Sequence, residues 1–343
     1  MKSSRKKKIT IYDVAKHAGV APGTASRALN DIGYVKKETH EKIMKSANVL
    51  EYIPNTAGKA LKTTKTGLIC LAIPDTSNPI YFKMIESVLE TAKENSYSML
   101  LYFTHGLEKE ELKALRILQA NTVDALILIH FSYSNKLKVA LESCSQPIVL
   151  CGMCNNLWAD EPDNNFDTIS IDVYQGIYNC VTYLIEKGHK DIIYFAGKRG
   201  ITVYKQRFDA YRQALHDNNI RYVEKNIFWH SYDEATGRIA AEHFLKTGNI
   251  PSAVCASNDL QAIGYYRTMA AAGVDVKAHT DMVSVDNLET MELLNISSLN
   301  IHEADVGRKA AELIFQRIHT KGKSDEFFPQ SILFMPDLIV RDN

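Results

Sequence analysis

No apolar run in this sequence is long enough to cross a bilayer, and no apolar core follows its basic N-terminus. A spanning helix needs about 20 consecutive apolar residues, and an export signal needs an apolar core behind its positive end. The expectation is a cytoplasmic protein with no membrane partner. Cysteine is scarce, with six in 343 residues, at positions 70, 144, 151, 154, 180 and 255. Only Cys151 and Cys154 form a C-x-x-C pair; with no second pair and no nearby histidine, zinc-ligand spacing is missing. Most of the cysteines lie in apolar runs and read as small, reduced core residues. The eleven histidines are scattered; His17, His189 and His302 read as surface or core residues. There is no G-x-x-x-x-G-K-[ST] loop, no G-x-S-x-G elbow and no G-x-G-x-x-G turn. No metal, no cofactor and no enzymatic activity is therefore expected.

Net charge is also absent, at zero for the whole chain, but that total hides an asymmetry. Residues 1–65 hold 14 Lys+Arg and 5 acids, or +9, and the remainder holds 26 bases and 35 acids, or −9. A basic head on an acidic body suits phosphate binding by the head alone. The basic run at 5–8 reads equally as a solvated tail or as an arm that orders on a polyanion. A length of 343 residues with 45% hydrophobic and 23% charged positions fits a globular chain of two or three domains.

The richest local signal is the segment 10–30. Thr10 is placed to cap a first helix, with Asp13 three residues on completing a box at the positive helix end. Val14, Ala15 and Ala18 give that helix a small apolar stripe, and Gly19 suits a turn that needs positive φ. Pro22 fits the first position of a second helix, where its missing N–H costs nothing. Ala25, Ala28 and Leu29 face inward in that helix, and Pro22, Gly23, Ser26 and Arg27 face out. Two short helices at a tight turn make a helix-turn-helix, which lays its second helix in the DNA major groove. The bland alternative is an ordinary helical hairpin with an alanine-rich face. A third helix is expected from about 38 to 50, with Ile43, Met44, Ala47 and Leu50 on one face.

A polar linker at 62–67 follows, and the pattern then changes. Short apolar runs at 68–74, 99–103, 125–129, 147–150 and 168–171 alternate with amphipathic stretches at 80–94 and 108–119. A second series of runs lies at 191–196, 227–230, 253–256 and 282–285, with helical stretches at 174–187, 204–218, 234–246 and 259–272. Strand–helix alternation implies parallel sheets with helices on both faces. Two series imply two similar lobes, with a ligand between them near the strand C-terminal ends.

Taken together these residues resemble the lactose-repressor/galactose-repressor (LacI/GalR) family of bacterial transcription regulators. Segment 10–30 carries the strongest match, followed by Tyr52-Ile53-Pro54-Asn55 and Ala60-Leu61. Weaker matches are Gly188-His189, residues 192–197, Arg207 with Tyr211, Ser257-Asn258-Asp259 and residues 283–287. The resemblance implies an α/β fold: an all-α helix-turn-helix head at 1–54, a hinge helix and linker at 55–66, and a two-lobed, periplasmic-binding-protein-like body with parallel sheets at 67–343. Its first lobe is expected at about 67–170 plus 301–327, and its second at about 171–300 plus 328–343. The implied protein is a homodimeric repressor of carbohydrate-metabolism genes that reads a near-palindromic double-stranded operator. With no leucine-heptad tail at the C-terminus, a dimer rather than a tail-zippered tetramer is expected.

The resemblance also assigns roles. Thr10, Tyr12, Pro22, Gly23, Thr24, Ser26, Arg27, Asn30 and Tyr52 match DNA-facing positions of the head, and Asn55, Ala57, Gly58 and Leu61 match the hinge helix that inserts a leucine into the minor groove. Arg27 is the best candidate for a base or phosphate contact. Pro22 and Gly23 offer no side-chain hydrogen bond where relatives present base-reading groups, so more readout falls to Arg27, Ser26, Thr24 and DNA shape. Gly58 costs a helix interior about 1 kcal/mol, which implies a hinge near its melting point. Asp75, Asn78, Tyr81, Phe82, Arg207, Tyr232, Asn258 and Asp286 match effector-contacting positions. A guanidinium, carboxylates, amides and rings suit a polyhydroxylated ligand, so a sugar or sugar derivative is expected; a nucleoside or purine, or an effector acting as corepressor, is the alternative. Ser284-Val285 and Cys151-Gly152 depart from the family pattern at the pocket edge, so ligand identity does not transfer. A solute-binding protein would share the body but not the basic head, and a constitutive DNA binder would not need the body.

Overall fold

Helix α1 (Ile11–Ala18) starts where sequence chemistry places it. The Asp13 carboxylate accepts the Thr10 backbone N–H at 2.8 Å and the Thr10 hydroxyl at 2.7 Å, which satisfies a donor left over at the helix start. Gly19 closes α1 at φ +65°, ψ +38°, a left-handed conformation that costs glycine nothing. Helix α2 (Pro22–Leu29) follows with proline in its first turn, and α3 (Lys37–Val49) packs across both. Val14, Ala15, Ala18, Ala25, Ala28, Ile43 and Ala47 form the core of this bundle. Four of those seven residues are alanines on α1 and α2, which let these two short helices approach closely. Met44 does not join them. It is 40% exposed, while Ser46 is buried in its place, because the inner face of α3 runs through 43, 46 and 47 (i, i+3, i+4).

This computed structural model describes residues 9–30, 33–53, 65–130, 134–152, 166–199, 202–320 and 328–341. The expected hinge helix, with Asn55, Ala57, Gly58 and Leu61, lies outside the described residues. The chain divides into two compact units, Met1–Thr66 and Gly67–Asn343.

The second unit holds two sheets. The first is built from β1 (Leu68–Ile73), α4 (Ile80–Glu94), β2 (Ser98–Phe103), α5 (Glu108–Gln119), β3 (Ala125–His130), α6 (Asn135–Glu142), β4 (Ile148–Gly152) and β5 (Asp167–Ile171). The second is built from α7 (Val173–Glu186), β6 (Ile193–Ala196), α8 (Thr202–Asp217), β7 (Ile227–Trp229), α9 (Glu234–Thr247), β8 (Ala253–Ala256), α10 (Asp259–Ala271), the short α11 (Val276–His279), β9 (Asp281–Val285), α12 (Glu289–Leu294) and β10 (Ser297–Asn300). The chain then returns through α13 (Glu303–Thr320) and ends in β11 (Ser331–Phe334) and β12 (Asp337–Ile339).

Strand order is β11-β5-β4-β3-β1-β2 in one sheet and β12-β10-β9-β8-β6-β7 in the other. All pairings are parallel except β10 with β12. Side chains alternate between the faces of each strand. In β1, Ile69, Leu71 and Ile73 join the core shared with α4 and α13, while Cys70 and Ala72 join the core shared with α5 and α6. Each sheet is therefore covered on both sides, as continuous apolar strands require. On the second sheet α9 and α10 touch backbone to backbone: a Cβ at Gly237 would lie 1.9 Å from the Gln261 carbonyl, and one at Gly264 would lie 2.1 Å from that of Glu234.

The C-terminal segment corrects the expected lobe boundaries. Residues 328–343 do not all join the second lobe. Strand β11 pairs with β5 of the first sheet, from Ser331 against Thr168 to Phe334 against Ile171, and only β12 crosses to the second. The crossing falls at Met335-Pro336, where proline has no N–H for a ladder.

Candidate functional site

In the head, Tyr12 is 69% exposed, and Thr10, Pro22, Gly23 and Arg27 are exposed as well. Thr24, Ser26, Asn30 and Tyr52 are half-buried. Two of these also serve the fold. The Asn30 side chain donates to the Ser26 carbonyl at 2.8 Å, and Tyr52 packs on the head core. The outer face of α2 thus presents Arg27 as its one cation, beside a proline and a glycine.

In the body, a cavity of about 120 Å³ opens at the C-terminal ends of strands from both sheets, lined by ten residues. The first sheet contributes Pro74, Asp75, Ser77 and Asn78 from the loop after β1, with Ile80 and Tyr81 from the start of α4. The second contributes Tyr204 and Arg207 from α8, Tyr232 from the loop after β7, and Asp286 from the loop after β9. A βα sheet gathers its loops at this end, which is why ligands bind there.

The charges in the cavity are tied together. Arg207, 1% exposed, donates to the Tyr232 hydroxyl oxygen and to the Ser257 carbonyl, and its guanidinium lies 5.2 Å from the Tyr232 ring centre. Burial works against its charge, but Tyr232 and Asp286 outweigh burial and raise its pKa. Asp286, 2% exposed, accepts from the Asn78 amide at 3.0 Å, a bond that links the two lobes. Burial pushes the Asp286 carboxyl up, while Arg207 and the Asn78 amide pull it back. Asp286 also sits at φ +113°, a conformation that L residues rarely adopt and that is found at functional sites when the surroundings enforce it. Around this turn the Asp286 N–H donates to the Leu299 carbonyl at 3.0 Å, and Asp259 holds residues on both sides of it. The Asp259 carboxylate accepts from the Leu288 N–H at 2.6 Å, from the Ser298 hydroxyl at 2.6 Å and from the Ser284 hydroxyl. On the first-lobe side, Asp75 accepts the Ser77 N–H at 2.7 Å, and the Asn78 side-chain oxygen accepts the Ile80 N–H at 3.1 Å.

Six of the eight expected effector residues line this cavity: Asp75, Asn78, Tyr81, Arg207, Tyr232 and Asp286. Phe82 does not. It is 54% exposed and outside the lining, because its neighbour Tyr81 takes the inward position at the start of α4. Asn258 does not line it either. It is fully buried, caps α10 by accepting the Gln261 N–H at 3.0 Å, and donates to the Tyr232 carbonyl at 2.9 Å. It positions Tyr232 from behind. Four lining residues were missed from sequence, Pro74, Ser77, Ile80 and Tyr204; the aromatic among them is Tyr204, whose ring stacks on Tyr232 at 4.4 Å and 14°. It lies one helical turn before Arg207, and that i, i+3 spacing was its signal.

Comparison with known proteins gives the same organisation. Residues 66–333 match the family model described as periplasmic binding proteins and sugar binding domain of the LacI family. Residues 10–55 match the model of bacterial regulatory proteins, lacI family. The HTH-type transcriptional regulator DegA of Bacillus subtilis (strain 168) is 30% identical over 337 residues, covering 97% of each chain. The HTH-type transcriptional repressor PurR of Actinobacillus pleuropneumoniae serotype 5b (strain L20) is 25% identical over 334 residues, again covering 97% of each. Among solved structures, the Lac repressor dimer bound to operator and the anti-inducer ONPF superposes with a TM-score of 0.81 at 22% identity, covering 98% of this chain and 99% of that one.

Proposed function

Since the chain belongs to the lacI family of bacterial regulatory proteins, whose members are DNA-binding transcriptional regulators, we infer that it is a homodimeric repressor released from a near-palindromic operator by a small, uncharged, polyhydroxylated effector held between its lobes. The observation that carries the effector class is the charge arrangement of the cavity. Among the described residues Arg207 is its only cation, and it is already engaged by Tyr232, Ser257 and the field of Asp286. Two carboxylates, Asp75 and Asp286, share the space. A phosphate or carboxylate would meet net negative charge in a desolvated site, which is costly without a free cation. A sugar hydroxyl both donates and accepts, so it can take the place of Asn78 on Asp286 and fill the remaining lone pairs. The tyrosine rings offer faces for the apolar side of a sugar ring. That same stack favours a second reading, in which a nucleoside base lies on it.

The switch follows from the geometry of two lobes. A ligand that binds one lobe arrangement better shifts the population toward it, and a coupling of about 1–3 kcal/mol changes operator affinity about 5–150-fold. The test has two stages. Selection of the full chain against a random duplex library should return a near-palindromic site, with affinity falling steeply as salt rises. Titrating that complex with sugars, sugar phosphates and nucleosides should then release DNA with a neutral sugar. Release by a sugar phosphate with no response to its neutral parent would overturn the charge argument. Asp286→Asn, which keeps the shape and removes the charge, should weaken the active effector at least about 10-fold, the cost of one charge-assisted hydrogen bond.

A further inference from the structure

We propose that Tyr204 sets the size of ligand this cavity accepts, and that Gly197 is what lets it do so; the proposal rests on the effector reading above. Tyr204 and Tyr232 stack at 4.4 Å and both face the cavity. Gly197 lies directly behind them. A Cβ there would sit 2.6 Å from Cδ2 of Tyr232 and 2.8 Å from Cδ2 and Cγ of Tyr204. The pair therefore rests on bare backbone, and any larger residue at 197 would push both rings toward the ligand space.

The charged part of the second-lobe wall is fixed by polar contacts. Arg207 is held by Tyr232 and Ser257, Tyr232 additionally donates to the Ser257 carbonyl at 3.0 Å, and Asp286 is held in its strained turn. The Tyr204 hydroxyl has no hydrogen-bond partner among the described residues, and its half-buried ring is held by stacking. The cavity of about 120 Å³ is below the roughly 300–1,000 Å³ of ordinary ligand pockets. It has room for one small ring at most. Removing the Tyr204 ring would free space on the order of 100 Å³ at a packed site, enough for a second ring next to Tyr232. Tyr204 thus acts as a size filter rather than as a hydrogen-bonding contact.

The test is calorimetric titration of the full chain, as wild type, Tyr204→Ala and Tyr204→Phe. The probes are D-glucose, D-galactose, D-mannose and D-ribose, then cellobiose, maltose and lactose, and finally phenol, the group deleted by the alanine variant. Wild type and Tyr204→Phe should take a monosaccharide at least 10-fold more tightly than any disaccharide. Tyr204→Ala should lose about 10-fold for that monosaccharide and gain at least 10-fold for a disaccharide. A wild type that binds a disaccharide as tightly as a monosaccharide overturns the proposal, as does an alanine variant that shifts both classes equally. If no sugar binds either protein, the effector reading fails, and phenol then decides the filter alone: at least 10-fold tighter binding to Tyr204→Ala than to wild type upholds it, and equal binding overturns it. Should Tyr204→Ala not fold, Tyr204→Val carries the same comparison.

Discussion

The two sheets of the body run in the same order, with five matching parallel strands and one strand from the C-terminal segment on each, but they are fastened by different chemistry. In the first, Arg317 of α13 makes a two-pronged ion pair with the fully buried Asp167, at 2.8 and 2.7 Å, and also donates to the Phe328 carbonyl at 2.7 Å. Asp167 further accepts the Gln330 N–H at 2.8 Å. In the second, Arg341 donates to the Ile296 carbonyl at 2.9 Å and to the Asn287 side-chain oxygen at 2.7 Å, with no carboxylate partner among the described residues. Buried acids are not all satisfied alike: Asp167 of the first lobe and Asp259 of the second each have several donors, whereas one oxygen of Glu111 in the first has no partner among the described residues. The cavity is divided along the same line: the second lobe supplies the fixed cation and the charged turn, and the first supplies short polar side chains on a loop.

The sharpest way to break this comparison is Arg317→Ala. It leaves Asp167 buried and uncompensated, and should cost about 3–5 kcal/mol of unfolding free energy in urea melts. A loss below about 1 kcal/mol would mean the ionic fastening of the first lobe is unimportant.

Next in size is the pH response of Glu111. Burial, with help from Glu108, pushes its carboxyl up to about 7 from an ordinary 4.5. Because the folded value is the higher one, the protein is favoured while Glu111 is protonated and loses that advantage as pH rises from about 4.5 through 7. Glu111→Gln should therefore match wild type near pH 4 and exceed it by on the order of 3 kcal/mol above pH 8. Parallel stability curves for the two proteins would show that Glu111 finds compensation.

Arg341→Ala should cost less than Arg317→Ala, about 1.5–3 kcal/mol for charge-assisted bonds to neutral acceptors. Equal losses would erase the distinction between the two fastenings. The smallest effect belongs to Phe82→Ala. Effector affinity should stay within about twofold and stability within about 0.5 kcal/mol, as for exposed positions in general. A larger change in effector affinity would bring Phe82 back to the cavity wall.

Much of this arrangement was legible in one dimension. Strands of unbroken apolar residues and helices of 3.6 periodicity gave the alternation, so the spans read at 80–94 and 108–119 coincide with α4 and α5. The head was legible because capping and turn chemistry are local: Thr10, Asp13, Gly19 and Pro22 act within a few residues of themselves. The pattern thinned where elements are short or edge-exposed. Residues 135–142 and 297–300 carry a helix and a strand that no strong periodicity announced. Strand β11 alternates exposed and half-buried positions, a pattern that any sheet edge could accept.

The sequence alone therefore determined the helix-turn-helix, the α/β body and most residue types of the cavity, because capping, turn preference and side-chain periodicity depend on near neighbours in the chain. Tertiary structure decided which of those residues meet. Phe82 and Tyr81 are adjacent in sequence, but only one faces the ligand space. Asn258 became a positioning group because its partners, Tyr232 and Gln261, close around it. Asn78 and Asp286 stand 208 residues apart yet share a hydrogen bond. Contacts of that range form only when two sheets are brought together, and no local preference encodes them.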